Sequence, residues 1–229
     1  MTTNRSDGME TRRSLLDAAA TIFAAKGFHD TRIVDICRVS GGANMAAVNY
    51  HFGSKEKLYV EAWRHAFERS MEAYPPDGGV LPNAPVEDRL RGQILALFHR
   101  IMDPTNLDFD IAHKEMANPT GLLSEIMRRS IDPLRAMLVK VVREFLGTHA
   151  TEEQVQLCEM SIHAQCFFQL LHRRQRKCTP ADSPPPVSPA SEVGIDALAD
   201  HIVRFNLAGL RECRRQCAKQ VKCQIKGKE

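Results

Sequence analysis

The stretch TRIVDICRVSGGANMAAVNYHFGSKEKLYV, residues 31–60, decides the fold of this chain. It predicts a short helix from Arg32 to Val39, a Ser-Gly-Gly break, and a shorter helix from Asn44 to Phe52. Gly53-Ser54 then opens a third helix. Two short helices joined by a glycine-containing turn, with a third packed behind, are typical of a helix-turn-helix that places its second helix in the DNA major groove. The pattern therefore predicts DNA recognition.

The composition is that of an ordinary globular protein. At 229 residues, with 43% hydrophobic and 26% charged side chains, the chain suits one large or two small domains. No apolar run approaches the roughly 18 residues that cross a bilayer, and the first residues are polar. We therefore expect a cytoplasmic protein without a membrane partner.

Metal, disulfide and catalytic signatures are weak in this sequence. The seven cysteines form no Cys-x-x-Cys pair, so a disulfide framework is not expected. His163 and Cys166 stand three residues apart on one predicted helix, but two further ligands at matching spacing are missing. No triad order, paired-carboxylate site or phosphate-binding glycine loop stands out. We predict no metal, no cofactor and no enzymatic activity.

Positive charge is spread unevenly along the chain. The net charge is +3, and residues 1–70 carry ten Lys and Arg against eight Asp and Glu. The last stretch, residues 211–229, carries seven against two. Because the suspected DNA-binding end is only mildly basic, we expect its affinity to come from well-placed phosphate contacts and from the pairing of two copies.

Hydrophobic residues recur with helical periodicity throughout, which predicts an all-α protein of about nine helices. A Pro/Gly-rich break after Tyr74 divides it into an N-terminal domain, residues 1–70, and a C-terminal helical domain, residues 75–217, with a basic tail at 218–229. Pro133 predicts a kink or a break after Asp132 in a helix from Thr120 to Leu146. A Pro/Ser-rich linker is predicted from Cys178 to Ser191.

Ordered motifs over some fifty residues carry a resemblance to a known family. They are Ala18-Ala19-Ala20-Thr21-Ile22-Phe23, Gly27-Phe28, Thr31, Asp35-Ile36-Cys37, and Tyr50-His51-Phe52-Gly53-Ser54-Lys55-Glu56-Lys57-Leu58-Tyr59. In this order they resemble the N-terminal domain of TetR-family transcriptional regulators. The turn from Val39 to Asn44 is one residue longer than the family norm, an insertion that glycine can absorb.

A finer resemblance, to the CecR (YbiH) branch of that family, extends over roughly residues 10–212. It is carried by the segments 43–50 (ANMAAVNY), 113–120 (HKEMANPT), 161–166 (SIHAQC) and 201–210 (HIVRFNLAGL). The resemblance implies a three-helix DNA-binding domain followed by a helical bundle for effector binding and dimerisation. It also implies a homodimeric repressor that binds a double-stranded, palindromic operator and responds to a small lipophilic effector.

The DNA contacts are predicted from positions in the helix-turn-helix. The first residues of a recognition helix face base edges, and its far end and the next helix start lie near phosphates. The base-facing candidates are Asn44, Met45, Ala46, Ala47 and Asn49. The phosphate candidates are Thr31, Arg32, Tyr50, His51 and Lys55. Asn44 is equally well explained as an N-cap, and Met45 or Ala47 as inward packing.

Polar groups scattered on apolar helix faces mark a candidate effector site, because such sites combine an apolar lining with a few convergent polar groups. The candidates are Phe98, Met102, His113, Glu115, Met116, His163, Gln165 and Phe168. Each has an ordinary alternative as a core or surface residue. Two other classes of protein stay open, a helical enzyme and a helical interaction module that has lost DNA binding.

Overall fold

The structure, a computed structural model, describes the backbone of residues 3–178 and 193–226 and the side chains of residues 8–168 and 193–219. Within these ranges the chain forms nine helices and no strand, which confirms the predicted all-α class. They are α1 (Thr3–Lys26), α2 (Ile33–Val39), α3 (Met45–Phe52), α4 (Lys55–Ala73), α5 (Val86–Met102), α6 (Asp108–Ala117), α7 (Ser124–Leu146), α8 (Glu152–Cys178) and α9 (Ile195–Lys226). None of the described helices is long and apolar enough to span a bilayer.

Some helix ends differ from the predictions. α7 continues through Pro133, so the helix is not broken after Asp132. A proline removes the hydrogen bond at its own nitrogen, and the turns on either side keep theirs. The predicted linker lies outside the described residues, apart from Cys178, which ends α8. The predicted basic tail is helical up to Lys226, and its side chains beyond Lys219 lie outside the described part of the chain.

The first of two compact units contains residues 1–73 and 104–131. In it α1 packs against α2, α4 and α6, and α4 packs against α6. Its core includes the fully buried Leu15, Phe23, Ile36, Leu58 and Trp63. Ile111 and Leu123 are also fully buried in this core. The division differs from the sequence interpretation, which had placed residues 104–131 in the C-terminal domain.

The second unit contains residues 74–103 and 132–229. Within it α5 packs against α8 and α9. Leu90, Ile94, Phe98 and Ile101 are the buried stripe that α5 contributes. Gly92, on the same helix, lets the turn at residues 77–80 approach closely, because a Cβ atom there would lie 2.6 Å from Val80 Cγ2.

Candidate nucleic-acid interface

The start of α2 differs from its predicted form. Thr31, a predicted phosphate contact, directly precedes the predicted start of this helix, where a threonine favours an N-cap. Its side chain is instead buried, and its hydroxyl donates to the Gly27 carbonyl at 2.6 Å. Arg32 occupies the N-cap position with an extended backbone and no side-chain cap. Thr31 is therefore not the N-cap, while the neighbouring Arg32 is exposed, as a phosphate contact requires.

The turn between α2 and α3 depends on glycine. Gly41 and Gly42 have φ angles of +79° and +124°, in the region that side chains with a Cβ atom rarely adopt. The turn is also tied to α1, because the Ser14 hydroxyl donates to the Ser40 carbonyl at 2.6 Å. These glycines give the turn its shape, and the hydrogen bond from α1 fixes the residue at which it begins.

Helix α3 divides cleanly into an inner and an outer side. Asn44 caps it, and its Oδ1 accepts a hydrogen bond from the Ala47 amide at 2.9 Å. Val48 and Phe52 are buried, and Ala47 is half-buried against the core. The side chains left outside are the predicted DNA contacts Asn44, Met45, Ala46, Asn49 and Tyr50, the last of which is 85% exposed. The cap role of Asn44 occupies its oxygen and leaves its amide nitrogen for another acceptor.

The end of α3 and the start of α4 place the remaining phosphate candidates. Ser54 caps α4, since its Oγ accepts from the Lys57 amide at 3.3 Å. Lys55 Nζ lies 4.3 Å from the centre of the Phe28 ring. Burial lowers the pKa of Lys55, while the charges of Glu56 and Asp30 act in the opposite direction. His51 is half-buried at the last turn of α3.

Sequence reasoning missed two supporting side chains in this unit. Phe28 is part of the Gly27-Phe28 motif, and its ring is also in contact with the Lys55 ammonium. Arg12 of α1 lies 5.2 Å from the centre of the Phe52 ring and pairs with Glu61 at 2.9 Å. Both contacts join residues far apart in the chain, so no local spacing could have signalled them.

The comparisons with known proteins agree with this geometry. The family model described as "Bacterial regulatory proteins, tetR family" matches residues 15–62. The model described as "HTH-type transcriptional dual regulator CecR, C-terminal domain" matches residues 86–210, more than half of the chain. The chain belongs to the TetR family of transcriptional regulators. It carries the helix-turn-helix DNA-binding domain of that family and a CecR-type C-terminal domain.

Curated relatives support the assignment of this TetR-family chain. The chain is 26% identical over 161 residues to the HTH-type transcriptional dual regulator CecR of Shigella flexneri, which covers 66% of this chain and 71% of that protein. It is 39% identical over 57 residues to the HTH-type transcriptional regulator YdgC of Bacillus subtilis, or 25% of this chain and 29% of that protein. Both relatives carry the name of transcriptional regulators, not of enzymes.

Solved structures share the fold of this TetR-family chain. A TetR-like transcriptional regulator from Rhodococcus sp. RHA1 aligns with a TM-score of 0.63 at 18% identity, covering 88% of this chain and 96% of that one. The TetR-family regulator PfmR from Thermus thermophilus aligns with a TM-score of 0.57 at 21% identity, covering 83% and 97%. At these identities the likeness establishes the fold alone.

The predicted effector residues of this TetR-family chain fall into both units. His113, Glu115 and Met116 lie on α6 in the first unit. The Glu115 carboxylate is buried and accepts hydrogen bonds from Tyr59, Thr120 and Gly121, whereas Met116 is 68% exposed. The other five lie in the second unit, on α5 and α8: Phe98, Met102, His163, Gln165 and Phe168.

Two of the predicted polar effector residues have partners within the second unit. His163 Nδ1 lies 2.8 Å from Oε1 of the buried Glu159, which also pairs with Arg135 of α7 at 2.9 Å. Burial lowers the pKa of His163, and the Glu159 carboxylate opposes that effect. Gln165 exchanges amide hydrogen bonds of 3.3 Å with Asn206 of α9. Phe98 is buried and Phe168 is 55% exposed.

Proposed function

We propose that this TetR-family regulator is a homodimeric repressor that binds a palindromic operator and is released by a small lipophilic effector. The structure of α3 is the main support for the DNA-binding part of this proposal. The helix is anchored by Val48 and Phe52 and displays small and amide side chains at its start. Such a helix fits deeply into the major groove, where Asn bonds adenine and apolar groups contact thymine methyls.

The residue roles follow from exposure. We assign base contacts to Asn44, Met45, Ala46 and Asn49, and phosphate contacts to Arg32, Tyr50, His51 and Lys55, all of them exposed or half-buried. We leave out Thr31, because its hydroxyl is used inside the unit, and Ala47, because it packs against the core. Two copies related by a two-fold axis would place their α3 helices one DNA turn, about 34 Å, apart.

The effector is assigned to the second unit. Phe98, Met102, His163 and Gln165 combine apolar surface with polar groups, as a site for a lipophilic small molecule requires. His113, Glu115 and Met116 are left out because they lie on α6 in the first unit. Phe168 is left out because it is exposed and belongs to an apolar face of α8, which we assign to dimerisation.

The test is binding to DNA from upstream of the gene for this regulator, measured by fluorescence anisotropy with a labelled duplex. We expect saturable binding that exceeds binding to a scrambled duplex by at least about 10³-fold, and release by lipophilic drug-like compounds. Equal affinity for both duplexes would contradict operator recognition at that locus. Specific binding that no compound weakens would contradict the effector part alone.

A further inference from the structure

A buried carboxylate of the first unit gathers hydrogen bonds from two separate parts of the chain. Tyr59 of α4 is fully buried, and its hydroxyl donates to Glu115 Oε2 at 3.0 Å. Glu115 Oε1 accepts the backbone amides of Thr120 and Gly121, both at 2.9 Å. The Thr120 hydroxyl lies 2.9 Å from the same oxygen. Glu115 thus joins α4 to the turn that follows α6, and Tyr59 depends on it for the hydrogen bond that a buried hydroxyl requires.

The Tyr59 ring is the base of an aromatic cluster. Its centre lies 4.7 Å from that of Phe23 in an edge-on arrangement and 5.1 Å from that of Phe28. Phe28 is only half-buried, and Lys55 Nζ lies 4.3 Å from the centre of its ring. A continuous series of contacts therefore runs from the Glu115 carboxylate through Tyr59 and Phe28 to the Lys55 ammonium.

The Lys55 ammonium gains from being held in this place. A lysine side chain has many rotamers, and a free one loses conformational entropy when a contact fixes it. The attraction between an ammonium and a ring face restricts Lys55 beforehand. Lys55 is also partly buried where it contacts the Phe28 ring, so less hydration is lost when an anion arrives.

We propose that Glu115 and Tyr59 are positioning residues for DNA binding: they hold Phe28 in place, and Phe28 holds the Lys55 ammonium where it neutralises a phosphate. The inference rests on the phosphate role assigned to Lys55 in the proposed function. On this inference, residues 104–131 contribute to DNA binding by the first unit. Glu115, which lies among them, then supports DNA binding instead of effector binding.

The experiment measures phosphate contacts directly, on the full chain. Binding to a random-sequence 30-base-pair duplex is followed by anisotropy between 20 and 100 mM KCl (roughly the range where nonspecific binding is measurable), and the slope of log affinity against log salt is determined. Lys55→Met should reduce the magnitude of that slope by about 0.9, the contribution of one phosphate contact. Tyr59→Phe should weaken binding by no more than Lys55→Met does, because it acts through Lys55, and should reduce the slope in the same direction.

Matched variants separate positioning from a loss of folding. Tyr74→Phe removes the same hydroxyl from a tyrosine that donates to Asp103 at 3.1 Å in the second unit, and it should leave the slope unchanged. The Tyr59→Phe/Lys55→Met double variant should bind no more weakly than Lys55→Met. Circular dichroism at the binding temperature identifies any variant that has unfolded.

The outcomes distinguish this inference from the proposed function. If Lys55→Met leaves the slope unchanged, the phosphate role of Lys55 is wrong and the inference falls with it. If Lys55→Met reduces the slope while a folded Tyr59→Phe keeps the wild-type slope and affinity, the inference alone is overturned. The same holds if Tyr59→Phe weakens binding equally in the Lys55→Met background, because its effect is then independent of Lys55.

Discussion

The outer faces of α3 and α8 expose different mixtures of side chains. On α3 the polar or small Asn44, Ala46 and Asn49 are exposed beside Met45 and Tyr50. On α8 the exposed Leu157, Met160 and Phe168 recur along one side of the helix. Phe205 of α9 is also exposed, in the same unit. Large exposed apolar surfaces are rare on monomeric proteins and mark sites of association.

This difference supports the two proposed partners, DNA and a second copy of the chain, because the two differ in chemistry. Bases and phosphates are polar, so a DNA-reading helix needs donors and little bulk. A second copy of the chain offers the same apolar surface in return, which is the requirement of a two-fold interface. The predictions below remove the features of each face in turn.

The largest effect should come from the apolar face. Met160→Asp combined with Phe205→Asp places carboxylates on α8 and α9, and we expect the dimer to dissociate because burying an unpaired charge is costly. Each monomer would then hold a single half-site, and operator affinity should fall by about 10²- to 10⁴-fold. Sedimentation velocity measures the assembly, and anisotropy measures the affinity.

The control for this prediction is Leu81→Asp, which makes the same kind of change at a residue of the second unit that is 69% exposed but lies outside α8 and α9. It should leave both measurements unchanged. A Met160→Asp/Phe205→Asp protein that sediments as the wild type does would show that dimerisation uses another surface.

The next effect should come from α3. Asn49→Ala removes a side chain that can form paired hydrogen bonds with adenine, and it should reduce operator affinity by about 1–3 kcal/mol, roughly 5- to 150-fold. Binding to a scrambled duplex should hardly change, because phosphate contacts carry no sequence information. Asn118→Ala, the same substitution at the exposed C-cap of α6, is the control. An equal loss on both duplexes would place Asn49 at the DNA backbone.

Local sequence signals predicted the main features of α3. The helix expected from Asn44 to Phe52 is observed as Met45–Phe52, because the Asn44 cap and Gly53 set its two ends. The capping role of Asn44 was correctly anticipated from its position before a short apolar helix. A structural feature that is set by residues close together in the chain could therefore be predicted from the sequence pattern.

Features that depend on contacts between residues far apart in the chain could not be predicted from the sequence pattern. Tyr59 and Glu115 are 56 positions apart, and nothing near either residue indicates that they meet. A threonine before a helix favours an N-cap, yet Thr31 lies within reach of the Gly27 carbonyl once the chain has turned at that glycine. Such outcomes are set by tertiary packing, which composition and periodicity do not encode.

A third prediction tests the close approach of Gly92 to the turn at residues 77–80 in the second unit. In Gly92→Ala the new Cβ would lie 2.6 Å from Val80 Cγ2 and 3.0 Å from the Asp77 carbonyl. Overpacking of this kind should lower the free energy of unfolding by about 1–3 kcal/mol, measured by urea denaturation. Val80→Ala should recover part of the loss in the double variant. Gly8→Ala, at a position of α1 with open space around it, should not destabilise. A Gly92→Ala protein as stable as Gly8→Ala would disprove the close approach.

The smallest effect concerns protonation of His163. Burial lowers the pKa of His163 below the ordinary 6.5, and the positive charge of Arg135 on α7 acts in the same direction. The Glu159 carboxylate, which faces His163 from α8, acts in the opposite direction. Below that pH the unfolded chain binds more protons than the folded one, so the free energy of unfolding should fall as pH drops through 6.5. In His163→Gln the decline between about pH 7.5 and 5.5 should be shallower, since the side chain no longer titrates. Urea denaturation at each pH measures this decline in the free energy of unfolding. An unchanged pH dependence would mean that other groups cause the loss of stability at low pH. Because His163 belongs to the second unit, nonspecific DNA binding at constant pH should be the same for both proteins.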